Sequence, residues 1–288
     1  MTSFRFGVNF LDPGTREEWF GKCRRAEGLG YDVINVADHL GMPAPFPSLV
    51  LAGEVTERPR LGTFVLNAGF WNPVLLAREV ATTDTLLGGR LDLGLGTGYV
   101  KAEFEAAGLP WETPGRKVDR LEAMVGELAR LFADPEVRPR PFAASGPPLL
   151  IGGAGDRVLR LAAAHADIVG FTGARSGPDG ELSLVGAAEF AERVAFFDRH
   201  AAGRTVEKNV LVQRVVVTDD REEAARGLAP YAPGMTLEEI LELPTLLVGT
   251  HREIADRIRH LRDTYGIGYI TVLEPMLEVF APVIGELR

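Results

Sequence analysis

Cysteine is almost missing from this chain. Cys23 is the only one in 288 residues, so no internal disulfide can form. A reducing, cytoplasmic setting is the expectation. Cys23 lies in an amphipathic helical stretch with no obvious thiolate-stabilising partner, and it reads as a structural residue. Long apolar runs are missing too. None approaches the roughly eighteen residues that would suggest a membrane span. The opening "MTSFRFGVNF" lacks the basic and apolar regions of a secretion signal. Surplus positive charge is absent: a net charge of −9 speaks against a nucleic-acid or anionic-membrane partner. Histidine is scarce. His39, His165, His200, His251 and His260 are scattered, without the spacing of a metal site, and no catalytic metal is expected. No G-x-S-x-G elbow occurs, so hydrolase chemistry of that kind is unsupported. No low-complexity segment or linker divides the chain, which reads as one domain over 1–288.

What is present is a rhythm. Apolar residues make up 46% and charged residues 25%, ordinary for a soluble protein, and the length suits a sizeable α/β core. Short β-rich runs at 5–10, 31–38, 60–68, 90–98, 147–153, 167–173, 209–219 and 266–275 alternate with helical patterns. The helices are expected at 16–30, 47–57, 73–89, 101–133, 156–166 and 187–201, with further helical segments after 219 and at the C-terminus. A polar loop is expected over 173–183. Eight strands separated by helices predict a (β/α)8 TIM barrel, with a doubly wound open sheet as the alternative. In a barrel the site lies where the strands end.

Three strand ends stand out. After the fifth run comes "GGAGDR", with Gly152, Gly153, Ala154, Gly155 and Arg157. Bare backbone N–H groups at the start of a helix suit a phosphate, and Arg157 would add charge-assisted bonds. The plainer alternative is a tight turn with an exposed arginine. The stretch is not a G-x-G-x-x-G dinucleotide fingerprint. The fourth run ends in "GLGTGY". Gly94, Gly96 and Gly98 alternate, so they share one face, which leaves a slot for a planar ring or a tight barrel taper. Thr97 and Tyr99 bring hydroxyls to the same end. The second run ends in "NVADHL", which sets Asp38 and His39 at the mouth. His39 is there either for acid–base work or as a structural hydrogen-bonding residue. A phosphate cradle, a flat slot and an Asp-His pair together suit a flavin or a deazaflavin.

The chain resembles the bacterial-luciferase-like superfamily of flavin and deazaflavin oxidoreductases. The residues carrying the resemblance are "DVINVADHL", "TERPRLGTFVL", "NPVLLAREVATTDTLLGGRLDLGLGTGY", "PPLLIGGAGDRVLRLAAAHADIVGF" and "TLLVGTHREIADRIRHLRDTYGIGYITV". The resemblance implies a luciferase-like barrel, usually a homodimer. It puts the cofactor ring over strands three and four, near Asp38, Phe64, Val65, Leu66, Thr97 and Gly98, and the phosphate at Gly152–Gly155 and Arg157. It also implies a non-prolyl cis peptide within Phe64–Leu66. "DH" after strand two and "GTG" after strand four match the deazaflavin branch, which uses coenzyme F420. The turn "GTGYVKAE" lacks the arginine of the FMN branch. An FMN-dependent monooxygenase supplied by a separate flavin reductase is the alternative, and a non-catalytic flavin-binding protein a second. The sugar-phosphate dehydrogenases of the deazaflavin branch have an acidic residue where Tyr99 stands and a tryptophan soon after "DH". This chain departs at both places, which argues against a sugar phosphate. The implied reaction is hydride transfer with a small, apolar organic substrate. His39 would deliver or orient a proton, Asp38 would contact the ring or His39, and Tyr99 is a second donor. Phe10, Phe70, Trp71 and Phe171 would line the substrate pocket.

Overall fold

Eight of the apolar runs become parallel strands that close on themselves. The computed structural model describes residues 3–177 and 182–288. Its barrel strands are Arg5–Phe10, Val33–Val36, Arg60–Thr63, Leu91–Gly96, Leu149–Gly152, Ile168–Phe171, Glu207–Val212 and Ile267–Leu273. The first strand pairs with the second (Gly7 with Val33) and with the eighth (Arg5 with Tyr269). The third pairs with the fourth (Leu61 with Leu91), which completes the ring. The expected (β/α)8 barrel is what the chain forms.

The alternation of side chains decides what lies inside. Phe6, Val8 and Phe10 point outward to the helices: Phe6 meets Phe280 and Phe10 meets Trp19 edge-on, at 6.0 and 5.5 Å between ring centres. Gly7 faces inward. A Cβ there would lie 3.0 Å from the side chains of Asn35, Thr271 and Tyr269. The interior is part apolar, with Val33, Phe64, Leu150, Ile168 and Tyr269 in one cluster. It is also part polar: Asn35 Nδ2 donates to the Tyr269 hydroxyl (3.2 Å) and Asn209 Nδ2 to Thr271 Oγ1 (2.8 Å).

Local chemistry sets the helix ends. Thr15 and Glu18 form a capping box before helix Arg16–Gly28, which buries Trp19, Phe20, Cys23 and Ala26. Burial pushes the Cys23 thiol up to about 12, in keeping with a structural residue. Thr250 and Glu253 form a second box before His251–Tyr265, and Gly266 ends that helix at φ +71°. Pro114 opens the long helix Pro114–Ala133.

Five expectations change. The single helical region over 101–133 is two helices, Lys101–Ala106 and Pro114–Ala133, parted where Gly108 turns at φ +67° and Pro110 follows. The seventh run splits at Gln213, whose N–H donates to the Thr245 carbonyl (2.7 Å). Glu207–Val212 stays in the barrel, while Arg214–Val217 leaves it to pair with Leu246–Gly249, a strand expected to be helical. The expected loop at 173–183 holds a small hairpin, Ala174–Ser176 with Leu182–Leu184, and its residues 178–181 lie outside the described residues. The third strand stops at Thr63 and resumes at Leu66–Asn67, where Leu66 pairs with Leu95. Among the described residues no helix is long and apolar enough to cross a membrane.

Candidate active site

The interruption of the third strand organises the carboxyl end of the barrel. The Phe64–Val65 peptide is cis, inside the stretch where the resemblance implies one. The bulge carries Val65 across to the glycine face of the fourth strand. A Cβ on Gly94 would sit 2.0 Å from the Thr63 carbonyl oxygen, and one on Gly96 would sit 2.7 Å from Val65 Cγ2. A Cβ on Gly152 would meet the same side chain, at 3.3 Å from Val65 Cγ1. Thr63 Oγ1 donates to the Gly94 carbonyl (2.9 Å) and accepts the Gly94 N–H (2.7 Å). The slot expected over Gly94 and Gly96 is therefore filled by Thr63 and Val65 of the neighbouring strand. Val65 is half-buried. Phe64 is buried in the barrel and Leu66 is fully buried, so of the three only Val65 offers side-chain surface. Gly98 turns at φ +72° against Asn67, whose Oδ1 would be 2.2 Å from a Cβ. Thr97 beside it is half-buried.

A polar cluster sits beside this bulge. His39 Nδ1 donates to Glu103 Oε1 at 2.8 Å. A carboxylate only accepts, so Nδ1 carries a proton, and Nε2 accepts when the ring is neutral and donates when it is charged. The Tyr99 hydroxyl lies 3.4 Å from Nε2, with the two rings edge-to-face at 5.4 Å. Burial raises the Tyr99 phenol above its ordinary value, and the nearby Glu103 charge adds to this. Asp38 does not pair with His39. Its Oδ2 accepts the Trp71 indole N–H (2.8 Å) and the Asn67 backbone N–H (3.1 Å). Burial raises the Asp38 carboxyl, against those two bonds and the His39 charge, which all lower it.

The expected substrate wall is only partly assembled. Phe10 is fully buried against Trp19, and Phe171 is buried between Phe190 and Phe197. Both face the outer helices, because the parity of their strands turns them away from the barrel. Trp71 is half-buried, holds Asp38 and meets Phe46 edge-on at 5.4 Å. Phe70 is half-buried at the mouth, 5.3 Å from Phe104, which in turn meets Trp111 at 5.3 Å.

At the fifth strand end, Gly152, Gly153 and Ala154 are half-buried and Gly155 is exposed. The Gly153 N–H is taken by the Gly170 carbonyl (3.1 Å). Gly155 precedes helix Asp156–His165, whose first turn has no side-chain cap. Its first N–H groups have no side-chain partner and no carbonyl partner within the helix. Arg157 does not face them. Its guanidinium binds Asp119 (2.8 Å) and Glu122 (2.6 Å) on helix Pro114–Ala133. Two side chains escaped the sequence reading. Glu103 could have been found from its place in the first turn of helix Lys101–Ala106, which follows Tyr99 directly after the Val100 cap. Lys117 had no local signal. It is 9% exposed, and its Nζ lies 3.4 Å from the Gly98 carbonyl oxygen and 3.4 Å from the centre of the Trp111 ring.

A closed parallel barrel whose acid–base side chains gather at the carboxyl ends has the layout of a TIM-barrel enzyme. Residues 15–244 match the luciferase-like monooxygenase family, and the chain belongs to that family. An F420-dependent glucose-6-phosphate dehydrogenase of Intrasporangium calvum is 38% identical over 124 residues, 39% of this chain and 37% of that protein. The oxygenase component of a flavin-dependent trigonelline monooxygenase of Acinetobacter baylyi is 31% identical over 121 residues, 40% of this chain and 33% of that protein. The chain thus spans about a third of the length of either relative. An F420-dependent secondary alcohol dehydrogenase, solved with an F420-acetone adduct, superposes over 100% of both chains with a TM-score of 0.75 at 16% identity, a likeness of fold.

Proposed function

We propose that this chain is an oxidoreductase that binds coenzyme F420 at the carboxyl ends of its barrel strands and uses it for hydride transfer to or from a small, largely apolar organic substrate. The observation carrying this reading is the chain of contacts Tyr99–His39–Glu103 beside the Val65 bulge. The residues fit such a cofactor: the uncapped helix start at Gly155 would hold its phosphate, and Val65 would support its ring. When bound, the deazaflavin supplies the hydride-carrying carbon. The protein's own residues do the rest. Glu103 holds His39 in one tautomer. His39 Nε2 then exchanges a proton with Tyr99 or directly with the substrate. Asp38, fixed by Trp71 and Asn67, shapes the floor between strands two and three. Phe70 and Trp111 give the substrate an apolar wall. The reading includes one domain over 1–288 and a cytoplasmic homodimer. Exposed Leu51, Val74 and Leu75 on neighbouring helices support the dimer.

A second reading is an FMN-dependent monooxygenase working with a separate flavin reductase, favoured by the flavin-dependent oxygenase relative. A panel of ketones, enones and alcohols assayed with F420 tests the first reading. In that assay His39→Ala should keep cofactor affinity and lose about 10²–10⁴-fold in kcat. Undiminished turnover in the variant would move proton delivery to Tyr99 or to solvent.

A further inference from the structure

We propose that Lys117 is an anion-binding residue of the barrel mouth, its ammonium taking an oxyanion of the bound small molecule, a phosphate or a carboxylate. The proposal rests on the reading of the mouth as a ligand site. Lys117 lies in the first turns of helix Pro114–Ala133 and is 9% exposed, a burial rare for lysine unless it is paired. Its pairing is poor. An ammonium has three protons to donate. Among the described residues it has one long contact, 3.4 Å to the Gly98 carbonyl oxygen, and the face of Trp111.

The one acid that raises its charge stability, Glu112, does not fill the gap. Glu112 attracts Lys117, but its carboxylate is bound by Arg120 at 2.8 Å and approached by Arg116 at 3.6 Å. Burial lowers the Lys117 pKa, as expected for an ammonium with too little compensation. An incoming anion would supply that compensation. The place is also suitable. Gly98 ends the fourth strand, directly before Tyr99, and Trp111 continues the aromatic row from Phe70 through Phe104. A molecule lying on this wall with its reacting atom near Tyr99 would bring an anionic end within reach of Lys117. Two sources offer that chemistry: the phosphate of the cofactor and a carboxylate on the substrate.

Calorimetric titration of wild type, Lys117→Gln and Lys117→Arg with FMN, riboflavin, F420, inorganic phosphate and benzoate separates them. FMN and riboflavin share the ring and differ in the phosphate. A cofactor-phosphate role predicts that Lys117→Gln loses about 10- to 100-fold in FMN or F420 affinity, the usual weight of a charge-assisted bond, with riboflavin unchanged and Lys117→Arg largely restored. A substrate role predicts unchanged cofactor affinities and the same loss for benzoate. A folded Lys117→Gln protein, checked by circular dichroism, that binds every probe as wild type does would overturn the proposal. Should wild type bind no flavin and no F420, the cofactor reading falls. The phosphate and benzoate arms still decide on Lys117: binding lost in Lys117→Gln supports it, and binding that is absent or equal in both proteins refutes it.

Discussion

Gly94→Ala puts one methyl group where the structure has no room for it. Its Cβ would lie 2.0 Å from the Thr63 carbonyl oxygen and 3.2 Å from Val65 Cγ1. The first neighbour is backbone, so it cannot rotate away. The third strand must move, and the two Thr63–Gly94 hydrogen bonds, at 2.9 and 2.7 Å, stretch with it. Overpacking a core costs about 1–3 kcal/mol, and each lost buried bond about 1 kcal/mol more. The total is about 3–5 kcal/mol, which lowers Tm by roughly 6–10 °C at about 2 °C per kcal/mol for a chain of this length. Calorimetry on the purified variant reads it directly. Gly126→Ala is the control. A Cβ there meets nothing within 4 Å, and the site lies on an exposed face of helix Pro114–Ala133. The same substitution should stabilise there, by up to about 1 kcal/mol. A Gly94→Ala protein melting with wild type would refute the claim that this glycine exists to admit the bulge.

Glu103→Gln should leave cofactor affinity and KM in place and lower kcat, by part of the factor expected for His39→Ala, because His39 loses the carboxylate on Nδ1; an unchanged kcat would make the pair structural. Asp38 carries a raised folded pKa, so it favours the folded state at low pH, and that contribution fades as pH rises from about 4 through the raised value. The Tm difference between Asp38→Asn and wild type should therefore grow more positive from acid to neutral pH, and parallel Tm curves would contradict this. Arg157→Ala should leave F420 and FMN affinity unchanged, since its guanidinium is held by Asp119 and Glu122. A large loss on calorimetric titration would return it to the phosphate site.

The barrel was legible because most of its strands are apolar runs closed off by Gly, Pro and helix-cap residues. Leu246–Gly249 was not, since four apolar residues are too few for periodicity to tell strand from helix. Gln213 carries no turn chemistry, so nothing local marks the point where the chain leaves the barrel. Phe10 and Phe171 show a limit of parity. Both faces of a parallel strand are buried, and alternation says which residues share a face without saying which face is inside. Strand ends point to the mouth, yet the partners of the side chains there are set by distant chain. Asp38 with Trp71, His39 with Glu103 and Lys117 with Gly98 are contacts across 33, 64 and 19 positions. Glycine was visible as a need for close approach. The approaching group was a strand and not a ring, which only the packing around Val65 reveals.

The proposed function requires a phosphorylated deazaflavin at the barrel mouth. Calorimetric titration of the purified, cofactor-free chain with F420 and, separately, with FMN decides this. Saturable binding of F420 at a single site per chain, tighter than FMN, is expected. Tighter binding of FMN would transfer the site to the monooxygenase reading, and no binding of either would overturn the proposal.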